Sequence, residues 1–204
     1  VKRASPSKGV IAEHFPYTEI AREYEEAGAD AISCLTEPYY FKGSDMYLED
    51  IAKTVRIPVL RKDFVIDEYM IYQAKAIGAS AILLICSLLD RQRLTEYRTI
   101  ARALGLSALV EAHDEREIED ALYAGAKIIG VNNRNLKTFE VDVDNSVRLR
   151  KLVPPETVFV SESGIKTPKD IERLIRNGAD AVLIGETLMR SGDKRRMLKE
   201  LKGR

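Results

Sequence analysis

Apolar residues along this chain fall into two spacings. Short runs that are apolar almost throughout, such as Ile82-Leu83-Leu84-Ile85, are separated by longer stretches in which apolar positions return every three or four residues. The first kind reads as parallel strand covered on both faces, the second as amphipathic helix laid on a sheet. The strand readings are 30–36, 57–62, 80–86, 106–111, 127–132, 157–162 and 180–185, and their starts step by 27, 23, 26, 21, 30 and 23 residues. The clearest helices lie at 17–27, 68–77, 91–104, 115–123, 146–151 and 169–177. Ile20, Tyr24 and Ala27 make the apolar face of the first; Ile171, Leu174 and Ile175 make that of the last.

A repeat underlies the pattern. Gly28-Ala29, Gly78-Ala79, Gly125-Ala126 and Gly178-Ala179 each close a helical stretch and open an apolar run, at spacings of 50, 47 and 53 residues. Glycine there suits the left-handed conformation that stops a helix. Seven strand–helix steps of this kind predict an α/β fold, a (β/α)8 TIM barrel forming one domain over 1–204, with residues 1–3 as the truncated stub of the first strand. An open doubly wound sheet is the alternative. No Gly-x-Gly-x-x-Gly follows any strand, which disfavours it.

Composition narrows the partners. Of 204 residues, 45% are hydrophobic and 31% charged, an ordinary globular balance. With 32 Lys+Arg against 32 Asp+Glu there is no chain-wide basic field for nucleic acid. No apolar run approaches the roughly 20 residues that span a bilayer. Cys34 and Cys86 sit within apolar strands and read as core; two cysteines make no disulfide scaffold, which fits a reducing cytoplasm. No metal-ligand cluster stands out.

In a barrel of this kind the chemistry sits where strands end. Those ends carry Lys2, Glu37, Lys62-Asp63, Ser87, Glu111, Asn132, Glu162-Ser163 and Glu186. Solvation explains one or two polar residues at strand ends, but less well a charge closing so apolar a run as Ala108-Leu109-Val110-Glu111. Lys62 and Glu111 are the sharpest pair: a walled-in lysine can act as a general acid and a glutamate as a base, although a structural salt bridge would use the same two residues. Lys2 is expected to push the Lys62 pKa down while Glu111 holds it up, leaving a proton that can move near neutral pH. His14 and His113 are weaker candidates; His113, near the rim, reads as a solvated loop residue. Three loops of small residues look suited to an anion: 161–165, 185–187 and 5–9. Loops after the last two strands are the usual phosphate grip of the fold.

The stretches Lys2-Arg-Ala-Ser-Pro-Ser-Lys-Gly9, Leu35-Thr-Glu-Pro-Tyr-Tyr-Phe-Lys-Gly43, Arg61-Lys-Asp-Phe64, Leu109-Val-Glu-Ala112, Ile129-Gly-Val-Asn-Asn-Arg-Asn-Leu136, Ser161-Glu-Ser-Gly-Ile165 and Leu183-Ile-Gly-Glu-Thr-Leu-Met189 together resemble the indole-3-glycerol phosphate synthase family, in order and along the whole chain. The resemblance implies a carboxy-lyase of tryptophan biosynthesis. Its reaction converts 1-(2-carboxyphenylamino)-1-deoxyribulose 5-phosphate to indole-3-glycerol phosphate with loss of CO2 and water. No metal or organic cofactor is implied, and the partner is a phosphorylated small molecule met by a monomeric, cytoplasmic chain, with no nucleic acid and no membrane.

By the same resemblance Lys62 is the general acid at the substrate carbonyl, Glu111 the acid/base of dehydration, and Lys2 a lysine that handles the substrate's charged groups. Asn132 and Glu162 hold sugar hydroxyls and order the lysines. Ser163, Gly164, Gly185 and Glu186 fall on the phosphate grip with Ser5 near it, and Phe41 and Phe64 line the anthranilate pocket. The family carries a glutamate two residues before the strand-one lysine and a helical extension before that. Lys2 here has only Val1 ahead of it, so the natural chain is expected to begin upstream. Glu186 stands where the family often has a small neutral residue, so its side chain is expected to turn away from the phosphate. Two rivals remain: a barrel that keeps the phosphate grip but has lost turnover, and phosphoribosylanthranilate isomerase, which needs a Cys/Asp pair where Lys2 and Glu111 stand.

Overall fold

The computed structural model describes residues 1–135 and 138–203. Leu136, the last residue of the Asn-x-Arg-x-Leu element, lies outside them. A short antiparallel ribbon of β1 (Ala4–Ser5) and β2 (Gly9–Val10) opens the chain, followed by α1 (Tyr17–Glu26). Then strands and helices alternate: β3 (Ile32–Leu35), α2 (Asp45–Thr54), β4 (Val59–Lys62), α3 (Tyr69–Ala76), β5 (Ala81–Ile85), α4 (Arg91–Ala103), β6 (Ser107–Ala112), α5 (Glu115–Tyr123), β7 (Ile128–Asn132), α6 (Asp144–Arg150), β8 (Val158–Glu162), α7 (Pro168–Arg176) and β9 (Ala181–Leu183). Helices α8 (Glu186–Arg190) and α9 (Lys194–Leu201) end it. The strands from β3 to β9 pair in sequence order, every pair parallel, which is the topology the strand–helix repeat predicts. The four repeat glycines all have positive φ, between 75° and 90°, as helix-ending residues should.

The sheet is curled. The side chains of Lys62 on β4 and Glu162 on β8 meet at 3.2 Å. Those strands are four positions apart, and in a flat sheet with strands about 4.8 Å apart they would lie about 19 Å from one another. Curling separates two apolar layers. Leu60, Leu83, Ile85, Leu109 and Val160 pack inside the curl, while a larger core that includes Ile82, Leu84, Val110, Ile129 and Phe159 lies between the sheet and its helices. Residues two apart on a strand therefore share a face, and single steps switch layers.

The stub expected at residues 1–3 takes the place of a first strand only in part. The Val1 nitrogen donates to the Ser33 carbonyl at 2.5 Å, and Leu35 N–H donates to the Val1 carbonyl at 3.3 Å, so Val1 lies along β3. The chain then turns into the β1–β2 ribbon, and the seven-stranded sheet runs from β3 at one edge to β9 at the other.

The loop after β3 is tied down by Glu37. Its carboxylate accepts the backbone N–H groups of Tyr39, Tyr40 and Phe41 at 2.8, 2.6 and 3.0 Å, and its carbonyl accepts from Gly43 N–H at 2.8 Å. Glu37 thus serves loop structure, not the ring of reactive strand ends to which it was assigned. Gly43 closes the loop against the strand it came from: a Cβ there would stand 2.4 Å from the Leu35 carbonyl oxygen and 2.7 Å from the Thr36 carbonyl carbon. Backbone cannot yield as a side-chain tip can. Gly43→Ala is expected to cost about 1–3 kcal/mol of stability, the usual range for forced overpacking, read as a lower urea midpoint. An unchanged midpoint would show that the loop has slack.

Candidate active site

Parity along the strands decides which side chains enter the curl. On β4, Leu60 points inward, so Lys62 does too and Arg61 points out. The same step of two carries Leu109 to Glu111 on β6 and Val160 to Glu162 on β8. These three ends converge: Lys62 Nζ lies 2.9 Å from Glu111 Oε2 and 3.2 Å from Glu162 Oε2. Asn132, at the end of β7, donates its Nδ2 to Glu111 Oε1 at 3.2 Å. Its Oδ1 accepts from Ser163 Oγ at 2.8 Å and from Arg134 N–H at 3.0 Å. The four residues form one connected set.

Arg61, facing the helices, is buried and structural. It meets Asp45 at 2.9 Å and Asp63 at 3.4 Å, and donates to Thr36 Oγ1 and the Met70 carbonyl. Asp63 is thus a partner of Arg61 behind the sheet. Gly130 on β7 makes room for Glu162: a Cβ there would stand 2.1 Å from Glu162 Oε1. That oxygen is buried without a hydrogen-bond partner among the described residues.

The charges are not alike. Burial and the neighbouring Glu111 charge push the Glu162 carboxyl up to about 7, against the pull of Lys62. Burial also opposes ionisation of Glu111, but Lys62, His113 and the Asn132 amide outweigh it and hold that carboxyl below the usual range. Burial would lower the Lys62 pKa; Glu111 and Glu162 together reverse this and raise it above the ordinary lysine value. The expected balance near neutrality therefore fails, because a second carboxylate faces Lys62 and Lys2 does not offset it. Lys2 is the lysine whose pKa falls, through burial and the nearby Arg134, Lys62 and Arg190 charges, with Glu186 opposing.

Lys2 reaches the loop after β9: a Cβ on Gly185 would lie 3.7 Å from its Cε and Nζ. Ser163 and Gly164 both have positive φ, 69° and 83°, and Asn133 Nδ2 donates to the Ser163 carbonyl at 3.1 Å. Thr187 Oγ1 donates to the Ile165 carbonyl at 2.6 Å, tying the loops after β8 and β9 together. The Glu186 side chain turns to Arg134 at 3.5 Å and Arg190 at 3.2 Å. The Phe41 and Phe64 rings lie 6.1 Å apart at 53°. Ser5 is buried in the ribbon, its Oγ without a hydrogen-bond partner among the described residues. Among those residues no group of three or more His, Cys, Asp and Glu is placed to hold a metal ion, and no helix is long and apolar enough to cross a membrane.

Sequence reasoning singled out neither Arg134 nor the setting of His113. Arg134 sits in the quoted motif, but only the fold brings it to Glu186. His113 is half-buried, held between Glu111 and Glu117; Glu117 four residues later, at the start of a helix, is the available signal.

The raised Glu162 carboxyl makes stability depend on pH. Its folded pKa of about 7 lies above the ordinary 4.5, so the folded state holds a proton that the unfolded chain releases. That contribution is complete below about 4.5 and is lost as pH rises through about 7. Glu162→Gln cannot ionise. In urea unfolding, wild type should therefore lose stability relative to Glu162→Gln across this window and level off above it. A difference that stays constant would mean that Glu162 ionises normally.

Known proteins bear on the same residues. The family model for indole-3-glycerol phosphate synthase matches residues 1–201. The indole-3-glycerol phosphate synthase of Ruminiclostridium cellulolyticum is 65% identical over 203 residues, spanning 100% of this chain and 78% of that one. That of Endomicrobium trichonymphae is 61% identical, over 99% of this chain and 78% of its own length. Among solved structures, a thiamine phosphate pyrophosphorylase from Pyrococcus furiosus superposes with a TM-score of 0.74 at 18% identity, covering 93% of this chain and 89% of its own. A 3-hexulose-6-phosphate synthase does so at 0.74 and 17%, covering 92% of each. At such identities the structural likeness bears on the (β/α)8 fold alone. Sequence carries the rest: this chain belongs to the indole-3-glycerol phosphate synthase family, a family of carboxy-lyases.

Proposed function

We propose that Lys62, Glu111 and Glu162, with Lys2, carry out the ring closure, decarboxylation and dehydration of 1-(2-carboxyphenylamino)-1-deoxyribulose 5-phosphate to indole-3-glycerol phosphate. The observation that carries this reading is the Lys62 ammonium shared between two buried carboxylates of unlike acidity. Ring closure needs a proton at the substrate carbonyl while an aromatic carbon attacks it. Lys62 is protonated throughout the neutral range and holds that proton in donor form. When Glu162 takes up a proton, Lys62 loses one of its two counter-charges and becomes a stronger acid. Loss of CO2 then restores the ring. Dehydration needs a leaving hydroxyl protonated and a carbon-bound proton removed. Glu111, kept ionised, is the base for the second; Glu162, carrying its proton near neutrality, is a source for the first.

The remaining residues bind. Ser163, Gly164, Gly185 and Glu186 offer backbone N–H groups at two joined loops, with Lys2 above them and Ser5 in the adjoining ribbon as a further hydroxyl. Small residues let a phosphate approach the backbone closely. With its carboxylate held by Arg134 and Arg190, Glu186 can present its N–H alone. Phe41 and Phe64 supply two tilted aromatic faces for the anthranilate ring. Asn132, already tied to Glu111 and Ser163, links the acid–base set to the phosphate loops.

Two variants separate these roles. Lys62→Met keeps the stem and removes the proton, so turnover followed by indole fluorescence should fall by about 10²–10⁴-fold, the usual worth of one general acid, with substrate affinity much less affected. Wild-type turnover, or lost binding with intact turnover, would shift the acid to Lys2.

Gly185→Val would press its branches toward Lys2 and the phosphate loop. It should raise KM by about tenfold, a loss near 1.4 kcal/mol, more than it lowers kcat. Unchanged affinity for substrate and product would place the phosphate elsewhere.

A further inference from the structure

His113 lies two residues beyond Glu111, just past the end of β6, and approaches that carboxylate. Its ring is fixed from the helix side: Glu117 Oε2 is 3.0 Å from Nδ1 and accepts the His113 backbone N–H at 2.7 Å. Asp114 caps the same helix by accepting Glu117 N–H at 2.9 Å, and Asn145 Nδ2 donates to the His113 carbonyl at 3.0 Å. The ring therefore cannot turn without giving up Glu117. Its other nitrogen, Nε2, is buried, has no hydrogen-bond partner among the described residues, and faces Glu111 Oε1 at 3.6 Å.

This geometry constrains the proton count. A carboxylate accepts but cannot donate, so Nδ1 must carry hydrogen to bond Glu117. A neutral ring would then turn its buried Nε2 lone pair toward Glu111, and two acceptors would face each other. One proton between Nε2 and Oε1 removes the conflict. It resides on His113 when Glu111 is ionised and on Glu111 when His113 is neutral.

We propose that His113 is a positioning residue that shares a proton with Glu111 and keeps this carboxylate ionised and aimed during the dehydration half of the reaction. The inference rests on the reading of Glu111 as an acid/base. The groups facing Glu111 are Lys62 from β4, Glu162 from β8, Asn132 from β7 and His113; those facing His113 are Glu117 from α5, Glu111 and, at longer range, Glu162. Burial would lower the His113 pKa, and these carboxylates together raise it, so the imidazolium persists to higher pH than that of an ordinary histidine.

The test is the pH dependence of turnover in wild type, His113→Asn, Glu117→Gln and Glu111→Gln. Loss of the imidazolium should move the acid limb of kcat/KM up by about one unit in His113→Asn. Its turnover should then be about tenfold below wild type on the acid side and approach wild type above the shifted limb, with KM little changed. Glu117→Gln should move the limb in the same direction by less. A pH-independent loss, or an unmoved limb, would overturn the inference and leave His113 a packing residue. Glu111→Gln separates the two levels: if it retains turnover, the reading of Glu111 falls; if it loses turnover while His113→Asn leaves the limb in place, only the role of His113 falls. A measurement on the unaltered enzyme covers the case of a variant that fails to fold. The chain has two histidines, and His14 is exposed. In a ring ¹⁵N titration, His113 should titrate above the ordinary histidine value of 6.5 with Nδ1 keeping its hydrogen. Titration below that value would overturn the proposal.

Discussion

One ammonium group set between two carboxylates organises the interior of this molecule. Lys62 can touch both Glu111 and Glu162 only because the sheet curls and brings strands four positions apart to within side-chain reach. Placing three ionisable groups away from water is costly unless they neutralise and hydrogen-bond one another. Here the cost is limited in two ways. Lys62 satisfies one oxygen of each carboxylate, and Glu162 tends to hold a proton, so the triad sits nearer to neutrality than three full charges would. The unlike acidities of two glutamates that touch the same lysine follow from this. Asn132 and His113 attend Glu111, whereas among the described residues nothing donates to the inner oxygen of Glu162.

The surroundings keep that triad in place. Arg61 fixes the outer face of the strand that carries Lys62, through Asp45, Asp63, Thr36 and the Met70 carbonyl. Glu37 fixes the loop that carries Phe41. Asn132 and Ser163 join the Lys62–Glu111–Glu162 set to the loop after β8, and Thr187 joins that loop to the one after β9. A substrate that bridges both regions therefore meets a surface whose parts are already held at set distances. Such preorganisation lowers the entropic cost of aligning a bound molecule.

The fold was legible because each strand–helix step ends on a glycine whose conformation few other residues adopt, and because a strand covered on both faces must be apolar throughout. Lys62, Glu111, Asn132 and Glu162 were legible as strand ends, and the structure brings all four together. Glu37 and Asp63 stand at strand ends too, and nothing in their local sequence separates them from Glu111. Parity separates Asp63: stepping back by two from Lys62, Glu111 and Glu162 reaches Leu60, Leu109 and Val160, all inside the curl, whereas from Asp63 it reaches the outward Arg61. Glu37 is separated by its own loop, whose backbone N–H groups take up its carboxylate. The raised Lys62 pKa is not legible, because its contact with Glu162 on β8 lies across the curl and leaves no trace in local sequence. The same is true of Arg134 and Glu186, 52 positions apart. Helix α2 and the β1–β2 ribbon were not singled out either. The ribbon is only two residues on each side and has no periodicity to detect.

Arg61 and Lys62 are adjacent cations with opposite duties, one fastening the sheet to its helices and the other facing the chemistry. Strand parity alone distributes these duties. A single residue inserted or deleted within β4 would exchange them, setting a broad planar guanidinium against Glu111 and Glu162 and leaving Asp45 and Asp63 to a lysine that cannot fork between them. Length changes should therefore be accepted in the loops and rejected in the strand, whatever residues they bring. For this barrel the number of residues between helix end and strand end decides, as much as the side chains themselves, what the interior of the curl contains.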